Sequence, residues 1–505
     1  MTAETPTMTS STPPPPPQPQ RSLGSRAAGG AAVTMLGQSA KMVVQFGGII
    51  LLARLLTPYD YGLMAMVTAI VGAAEILRDF GLSAAAVQAK QVSREQRDNL
   101  FWINSGIGLL LSLVVFASAH LIANFYKEPA LVTISQALAV TFLINGMTTQ
   151  YRAHLSRGLR FGQVALSDVG SQVLGLGAAV AAALLGWGYW ALVVQQVVQA
   201  GVNFIIAASC ARWLPGGYQR SAPMRDFMSF GWNLMAAQLL GYASRNVGQV
   251  IIGWRTGPDA LGLYNRAFQL LMMPLNQINA PATSVALPVL SQLQDDRERF
   301  SAFLLRGQTV MVHLIFALFA FACALAMPLI VLVLGEQWRE AVPLFQVLTL
   351  GGIFQTAAYA TYWVFLARGL MRAQLVYSLV SRVLLIACIF VGSRWGAMGV
   401  AIGYSFGLLL TWPLSLLWIG KISDAPVGAL FTNALRAMVA YGAAGGCAYY
   451  ASITVGGPLW EQLAVGAVTM LAVCLLALAI WPAFRRDVIA IINIRKLLTQ
   501  AKARR

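Results

Sequence analysis

Charged residues are scarce in this chain of 505 residues, since they make up 10% of it and a soluble domain has about 25%. Acidic residues are scarcer still: 18 Asp and Glu stand against 35 Lys and Arg, a net charge of +17. Hydrophobic residues make up 58%, and the mean hydropathy is +0.66. A soluble globular fold is therefore excluded. The charge does not indicate nucleic-acid binding, because the basic residues lie in short segments between apolar stretches.

Residues that build metal centres, disulfides and catalytic sites are also rare. The five cysteines are scattered without a CxxC pair, and the three histidines are isolated. These spacings predict neither a disulfide nor a metal site. No phosphate-binding loop and no Ser/His/Asp set stands in a segment between the apolar stretches. We therefore expect a protein that is not an enzyme and that uses no cofactor.

Long apolar segments are what the chain has in abundance. They run for about 20 residues without strict alternation, which is typical of transmembrane helices and not of barrel strands. The sequence therefore predicts an all-α polytopic membrane protein. Its fourteen predicted spans are residues 31–56, 62–88, 99–124, 130–152, 164–186, 189–210, 226–254, 261–291, 303–326, 341–367, 374–392, 397–420, 433–453 and 460–482.

The Lys and Arg residues are distributed unevenly around these spans. Twenty-four lie in segments on one side, five lie in loops on the other side, and six lie inside the spans. The positive-inside rule makes the richer side cytoplasmic, so we expect both termini to be cytoplasmic. A cation inside the hydrocarbon costs about 2.5–3.5 kcal/mol on insertion scales and is usually functional. The six intramembrane cations are therefore the first candidates for a site.

A weak internal repeat relates the two halves of the chain. Residues 52–63 recur as residues 252–263, and both copies join one span to the next on the side with few cations. Six spans separate the copies, so two lobes of the same orientation are predicted, as in transporters with parallel repeats. The predicted parts are a disordered cytoplasmic tail (1–30), an N-lobe of six spans (31–212), a C-lobe of six spans (226–421), two further spans (433–483) and a basic amphipathic cytoplasmic tail (484–505).

Polar residues inside the spans recur at helical spacing, so each set shares one face of its helix. Such faces point to the bundle interior or to a water-filled cavity. We expect Arg436, near the start of its span, to extend to the membrane surface instead. The predicted substrate-binding cations are Lys41, Arg78, Arg245, Arg266 and Arg382.

Three acids also lie inside the spans, namely Glu75, Asp79 and Asp168. We expect them to serve in ion or proton coupling or to balance the charge of the cations. Six cations against three acids leave a surplus of three positive charges. A central cavity with that surplus favours an anionic ligand.

Three stretches of the sequence resemble a known family: residues 75–88, 242–267 and 285–296. Together they look like bacterial polysaccharide exporters of the Wzx/WzxC type, which belong to the multidrug/oligosaccharidyl-lipid/polysaccharide (MOP) superfamily. The resemblance extends from about residue 31 to residue 420. It implies a bacterial inner-membrane protein with two six-helix lobes around a cationic cavity. In one departure, Gly248 stands where family members commonly carry an acid, which puts ion coupling through that position in doubt.

The resemblance implies a flippase for polyprenyl-diphosphate-linked oligosaccharide. Such a protein moves its substrate from the cytoplasmic to the periplasmic leaflet by alternating access, for export of exopolysaccharide, O-antigen or capsule. Its expected partners are the lipid-linked substrate, the bilayer and other polysaccharide-assembly membrane proteins, with no nucleic acid. Arginine forks suit the diphosphate, because they match phosphate oxygens. The alternatives are a peptidoglycan-precursor flippase, a drug or cation antiporter of the same superfamily, and a membrane-embedded glycan polymerase or ligase.

Overall fold

The computed structural model describes residues 23–79, 82, 92–220 and 224–491, and no strand occurs within these ranges. The helices are, in chain order, α1 (Leu23–Leu55), α2 (Pro58–Asp79), α3 (Arg94–Tyr126), α4 (Ala130–Arg157), α5 (Phe161–Leu184), α6 (Trp190–Ala211), α7 (Arg225–Thr256), α8 (Pro258–Gln292), α9 (Arg297–Ala324), α10 (Ala326–Leu334), α11 (Ala341–Ala367), α12 (Met371–Gly392), α13 (Gly396–Ile422), α14 (Val427–Thr454) and α15 (Leu459–Ile480). A last helical stretch covers residues 482–491.

Ten stretches of the described helices are long and apolar enough to cross a membrane, and one of them runs through α12 and α13 together. This finding confirms the prediction of a multi-pass helical membrane protein. Helices α7 and α8 are not among the ten, although they contain 32 and 35 residues. Both carry polar stripes that include Arg245 and Arg266, and these residues lower their hydropathy. A helix that faces a polar interior needs less apolar surface than one that faces lipid.

Most helices pack within their own half, whereas α2 of the first half packs chiefly on α8 and α7 of the second half. In the first half, α1 packs on α5, α3 on α4, and α6 on both α4 and α5. In the second half, α8, α9 and α13 pack on α11, while α12 packs on α13. Helix α14 packs on α9, and α15 packs mainly on α14. The two last helices are therefore additions to the second group.

The two ends of this bundle differ in charge and are named accordingly here. The basic end contains Arg94 at the start of α3, Arg157 at the end of α4 and Arg220 in the segment between α6 and α7. The repeat end contains the α1–α2 and α7–α8 connections, which are the two copies of the repeated segment. Hydrogen bonds, ring contacts and close backbone contacts join the two halves at the repeat end.

The closest of these contacts is the crossing of α2 and α8, where a glycine of each helix meets the backbone of the other. A Cβ atom on Gly62 would lie 1.8 Å from the carbonyl oxygen of Pro258, and a Cβ atom on Gly262 would lie 1.9 Å from that of Pro58. No side chain fits at either place, so only glycine permits this approach. The contact is reciprocal and joins matching positions of the repeat. This explains why the repeated sequence keeps Pro and Gly at the same spacing.

A second set of contacts at the repeat end involves α10 and the residues after it. The Nε1 of Trp338 donates to the carbonyl oxygen of Ala53 at 2.8 Å, and its ring meets the edge of Tyr61 at a centroid distance of 5.4 Å. The Nε of Arg54 donates to the carbonyl oxygen of Val333 at 3.3 Å. The sequence predicted no separate helix here, because nine residues are too few to span a membrane. Helix α10 and the following turn help to close the repeat end.

The structure gives Arg436 a partner that the sequence analysis did not predict. Its Nη2 lies 3.2 Å from a carboxylate oxygen of Asp487, in the helical stretch after α15, and 3.3 Å from the Oδ1 of Asn433. The His313 ring on α9 lies beside the same carboxylate, with its Nε2 at 4.0 Å. The chain returns after α15 and supplies the counter-charge, which sequence distance conceals. The residues from 492 onward lie outside the described range.

Helix α1 begins at Leu23, earlier than the start at residue 31 predicted from apolarity. The tail predicted over residues 1–30 is therefore helical from residue 23, and residues 1–22 lie outside the described range. Helix α4 continues to Arg157, beyond the predicted end of its span at residue 152. Helix α2 is described as far as Asp79, and the rest of its predicted span lies mostly outside the described residues. The first turns of α1 and the last turns of α4 contain polar residues. For this reason, apolarity alone placed the start of the first span too late and the end of the fourth span too early.

We predict that the Gly262→Ala variant unfolds at a lower temperature than the wild type, with a loss of about 1–3 kcal/mol, because overpacking at a tight contact forces the backbone apart. Gly201→Ala in α6 is the control, since a Cβ atom there meets nothing within 4 Å. Alanine also favours a helix over glycine by about 1 kcal/mol, so the control is neutral or more stable. Thermal unfolding of the purified protein in detergent measures both. Equal melting temperatures for Gly262→Ala and the wild type would contradict the crossing.

Candidate functional site

A polar cavity of about 830 Å³ lies within the first half, between α2, α4 and α6. It occupies the part of α2 and α4 that is nearer the basic end. The cavity is rich in amide and hydroxyl side chains, which can both donate and accept hydrogen bonds. Its lining residues are Glu75, Arg78, Asp79, Thr141, Asn145, Thr148, Thr149, Arg152, Ala153, Ser156, Gln196, Gln199, Ala200 and Asn203.

Arg78 is held on one wall of this cavity by α2 and α4. Its Nε lies 2.8 Å from the carboxylate of Glu75, one turn earlier on α2. Its Nη1 donates to the Thr149 hydroxyl at 2.6 Å and to the Asn145 carbonyl at 3.0 Å. The Nδ2 of Asn145 in turn donates to the other oxygen of Glu75 at 3.2 Å. The four groups form one closed network, and only 14% of the Arg78 side chain is exposed.

A second arginine, Arg152 on α4, lies on the same cavity. It forms a two-pronged ion pair with Asp168 of α5, in which Nη2 and Oδ2 are 3.2 Å apart. Its Nη1 also donates to the Oδ1 of Asn203 on α6 at 3.3 Å. Arg152 thus ties three helices of the first half together. Asp168 was predicted to serve in coupling or charge balance, and here its carboxylate neutralises Arg152.

The charges on this cavity are balanced, contrary to the positive surplus expected from the sequence. Arg78 and Arg152 face the carboxylates of Glu75 and Asp79, and Asp168 pairs with Arg152 from behind. The surplus was derived from all the intramembrane charges taken together. The structure distributes them among several places. Four of the predicted cations lie away from this cavity.

Lys41 lies in a different and much smaller cavity, of about 50 Å³, between α1 and α5. The same cavity includes Gln38, one turn before Lys41 on α1, and Asp168. Asp168 therefore stands between Lys41 on one side and Arg152 on the other.

Arg245 of α7 and Arg382 of α12 belong to the second half and lie close enough for their like charges to interact. The Arg245 side chain is exposed, and it folds back toward Gly241. One turn before it, the Tyr242 hydroxyl donates to the carbonyl oxygen of Thr68 on α2 at 2.6 Å. The face of α7 that carries Arg245 is thus held near the first half.

Arg266 is buried at the repeat end, with 6% of its surface exposed. Its guanidinium lies 3.5 Å from the centre of the Tyr61 ring and 6.0 Å from that of Trp338. Its Nη1 donates to the Oε1 of Gln269 one turn later. Arg266 was predicted to bind substrate in a cavity, and in this conformation it instead stacks between the two halves. A cation on a buried aromatic face contributes about 2 kcal/mol to such a contact.

Arg152 was missed as an intramembrane cation, because the sequence analysis assigned it to a loop. The signal was nevertheless present in α4. Its polar residues recur every three or four positions along one face, which the structure shows to line the cavity. These residues are Thr141, Asn145, Thr148, Thr149, Arg152 and Ser156.

Gly248 on α7 occupies the place where the resembled family commonly has an acid. A Cβ atom there would lie 3.5 Å from the Val400 side chain and 3.6 Å from the Tyr264 hydroxyl. A carboxylate at this position would be enclosed by mostly apolar groups and would need a partner. The described surroundings therefore suit glycine.

We predict that Arg152→Gln and Asp168→Asn each lower stability by about 1–2 kcal/mol, less than the 3–5 kcal/mol of a fully buried pair. The reason is that 34% of the Arg152 side chain is exposed. The double variant should lose less than the sum, because neither charge remains alone. The exposed pair Glu336–Arg339 is the control, and its coupling should stay within about 1 kcal/mol of zero. Thermal unfolding of the six variants gives both couplings, and additive losses at Arg152 and Asp168 would refute the pairing.

Known proteins resemble this chain in both sequence and structure. It is 30% identical over 315 residues to the teichuronic acid biosynthesis protein TuaB of Bacillus subtilis, a match that covers 62% of this chain and 65% of TuaB, just under two thirds of the relative. It is 24% identical to the lipopolysaccharide biosynthesis protein WzxC of Escherichia coli, over 70% of this chain and 72% of WzxC. It is 25% identical to the succinoglycan biosynthesis transport protein ExoT of Rhizobium meliloti, over 63% and 64%.

Among solved structures, the lipid II flippase MurJ in its inward closed conformation superposes with a TM-score of 0.68 at 12% identity, over 91% of this chain and all of MurJ. A multidrug resistance MATE family transporter of the MOP superfamily, in its inward-facing conformation, superposes with a TM-score of 0.59 at 15% identity, over 79% and 99%. These identities establish the fold alone. Residues 51–343 match the family described as "Polysaccharide biosynthesis protein". This match covers more than half of the chain, so the protein belongs to the polysaccharide biosynthesis protein family, as the Wzx-type resemblance predicted.

Proposed function

We propose that this protein is a flippase that carries polyprenyl-diphosphate-linked oligosaccharide from the cytoplasmic to the periplasmic leaflet of a bacterial inner membrane, for export of surface polysaccharide. The observation that carries the proposal is the polar cavity of about 830 Å³ inside a helical membrane protein of this family. The relatives that are named for polysaccharide biosynthesis support this substrate class over a peptidoglycan precursor, a drug or a cation. The transport function of ExoT supports a carrier over a polymerase or ligase.

The chemistry of the cavity suits the sugar part of such a substrate. Its amide and hydroxyl groups can pair with the hydroxyl groups of a glycan. Its arginines are already paired with carboxylates, so the balanced charge repels neither a neutral nor a weakly acidic sugar. We assign the diphosphate to Arg245 and Arg382, whose like charges lie close enough to interact. An anion placed between two like-charged arginines relieves their mutual repulsion and accepts hydrogen bonds from both. Arg78, which is paired with Glu75 on the cavity wall, would meet the sugar part instead.

Alternating access supplies the movement in this proposal. The two halves are six-helix lobes that meet at the repeat end, and α14 and α15 complete a set of fourteen spans. A substrate enters the cavity from the basic end while the repeat end is closed, and it leaves after the lobes rock apart at Gly62 and Gly262. Outward movement of an anion gains about 2.3 kcal/mol per charge for each 100 mV of inside-negative potential. No ATP site is needed for that step.

The expected defect of a transport variant is loss of surface polysaccharide together with accumulation of the lipid-linked oligosaccharide. We predict at least a tenfold fall in export for Arg245→Gln and for Arg382→Gln, because each variant removes a cation that would hold the diphosphate. Arg160→Gln is the matched control, because Arg160 is exposed beyond the end of α4 and lines none of the cavities described above. Quantification of surface glycan and of lipid-linked glycan in a complemented deletion strain measures all three. Wild-type export by both variants would refute the assignment.

The orientation can be tested with single cysteines in a background that lacks the five native ones. With a membrane-impermeant maleimide, intact cells should label Lys127→Cys and Glu340→Cys at the repeat end. Arg94→Cys and Arg220→Cys at the basic end should react only after the cells are opened. All four positions are exposed. Labelling of Arg94→Cys in intact cells would invert the proposed topology.

A further inference from the structure

A second polar cavity, of about 290 Å³, lies at the basic end, on the other side of α4 from the large cavity. Ala153 belongs to both cavities and separates them, since Arg152 and Ser156 line the large one while Gln150, His154 and Arg157 line the small one. The proposed function uses the large cavity and leaves this one without a role. The lining residues are Val92, Arg97, Gln150, Ala153, His154, Arg157 and Gly158.

Arg97 is held rigidly on the wall of this small cavity. Its guanidinium lies 4.3 Å from the centre of the Trp213 ring, and its Nη1 lies 3.5 Å from the Nδ1 of His154. Trp213 is itself fixed, because its Nε1 donates to the Oδ1 of Asp98 at 3.1 Å. Asp98 is buried and follows Arg97 in sequence, and it is not among the residues that line the cavity. The arginine is thus positioned before any ligand arrives.

Two hydrogen-bond donors of this cavity are buried and unpaired among the described residues. They are the Nε of Arg97 and the Nε2 of Gln150. Gln150 is only 2% exposed. A buried donor without an acceptor costs about 1–3 kcal/mol. Both donors call for an acceptor atom inside the cavity. As far as the chain is described, the lining contains two arginines and no carboxylate, so the acceptor that fits is an anion.

We propose that this cavity binds a phosphate group. Phosphate oxygens accept several hydrogen bonds at once and match the fork of an arginine, and both Arg97 and Arg157 line this cavity. One water molecule occupies about 30 Å³ of liquid, so a cavity of about 290 Å³ holds a phosphate or diphosphate with several waters. The phosphate can belong to the lipid-linked substrate or to an anionic phospholipid of the same leaflet. Only the first source rests on the proposed function.

A phosphate bound in the small cavity would have a different role depending on whether it belongs to the substrate or to a phospholipid. A diphosphate held beside Gln150 would lie on the opposite side of α4 from the large cavity. The attached sugars would have to pass around α4 to reach the amide and hydroxyl groups of that cavity. The small cavity would then be a first contact point for the substrate at the basic end. An anionic headgroup held there would anchor the end of α4 and the Trp213 segment in the leaflet. Both roles depend on the same donors.

The test measures phosphate binding by the purified full-length protein in nanodiscs of neutral phosphatidylcholine. The first probe is inorganic pyrophosphate, and calorimetry measures its binding. The second probe is phosphatidylglycerol, and native mass spectra show whether the protein retains it. Gln150→Glu places a negative charge among the donors and should weaken binding of the occupant at least tenfold. Arg157→Gln should weaken it too, and Arg160→Gln, which removes a charge outside the cavity, should leave it unchanged.

The outcomes separate the sources from each other and from the transport proposal. Pyrophosphate binding lost in Gln150→Glu points to the diphosphate, and phosphatidylglycerol lost in the same variant points to the lipid. Absence of both ligands from the wild type overturns the proposal, as does an equal loss in Arg160→Gln. Melting temperatures identify a variant that has failed to fold, and Arg157→Gln then decides. No step of this test measures export. The flippase proposal can therefore fail while the phosphate site is confirmed, and the phosphate site can fail while the flippase proposal stands.

Discussion

The reciprocal contact of Gly62 with Pro258 and of Gly262 with Pro58 is the constraint on which the rest of the structure depends. It brings α2 and α8 to backbone contact at the repeat end and so fixes how the two halves meet. With this point fixed, Tyr242 reaches the backbone of α2, and α10 reaches the end of α1. The large cavity lies away from this joint, toward the basic end. A hinge or seal of this kind cannot be built from larger residues, because the backbones would no longer touch.

Much of this fold follows from the sequence, since long apolar segments have few structural solutions in a membrane. The repeat of residues 52–63 also predicted two related halves, and the structure shows the two copies in mutual contact. The sequence did not reveal that contact, because two segments about 200 residues apart carry no signal of their distance in space. Helix α10 was missed for a different reason: its nine residues are too few to span a membrane, and nearly all of them fell between two predicted spans.

The candidate site was predicted less well than the fold. A count of charges assumes one shared cavity, whereas the structure distributes the intramembrane arginines among several places. Arg152 pairs with Asp168 across helices, Arg436 pairs with Asp487 after a chain reversal, and Arg266 lies on an aromatic ring. Each partner is set by tertiary packing, and spacing along one helix cannot identify it.

The stacking of Arg266 on Tyr61 links the charge at the repeat end to the conformation of the protein. The two residues belong to different halves, so any separation at the repeat end must pull the guanidinium from the ring. Water then replaces the aromatic face, and a positive charge that was hidden becomes accessible at the repeat end. The repeat end would be less positive while it is closed and more positive once it opens. Its electrostatic field is therefore a property of its conformation as well as of its composition.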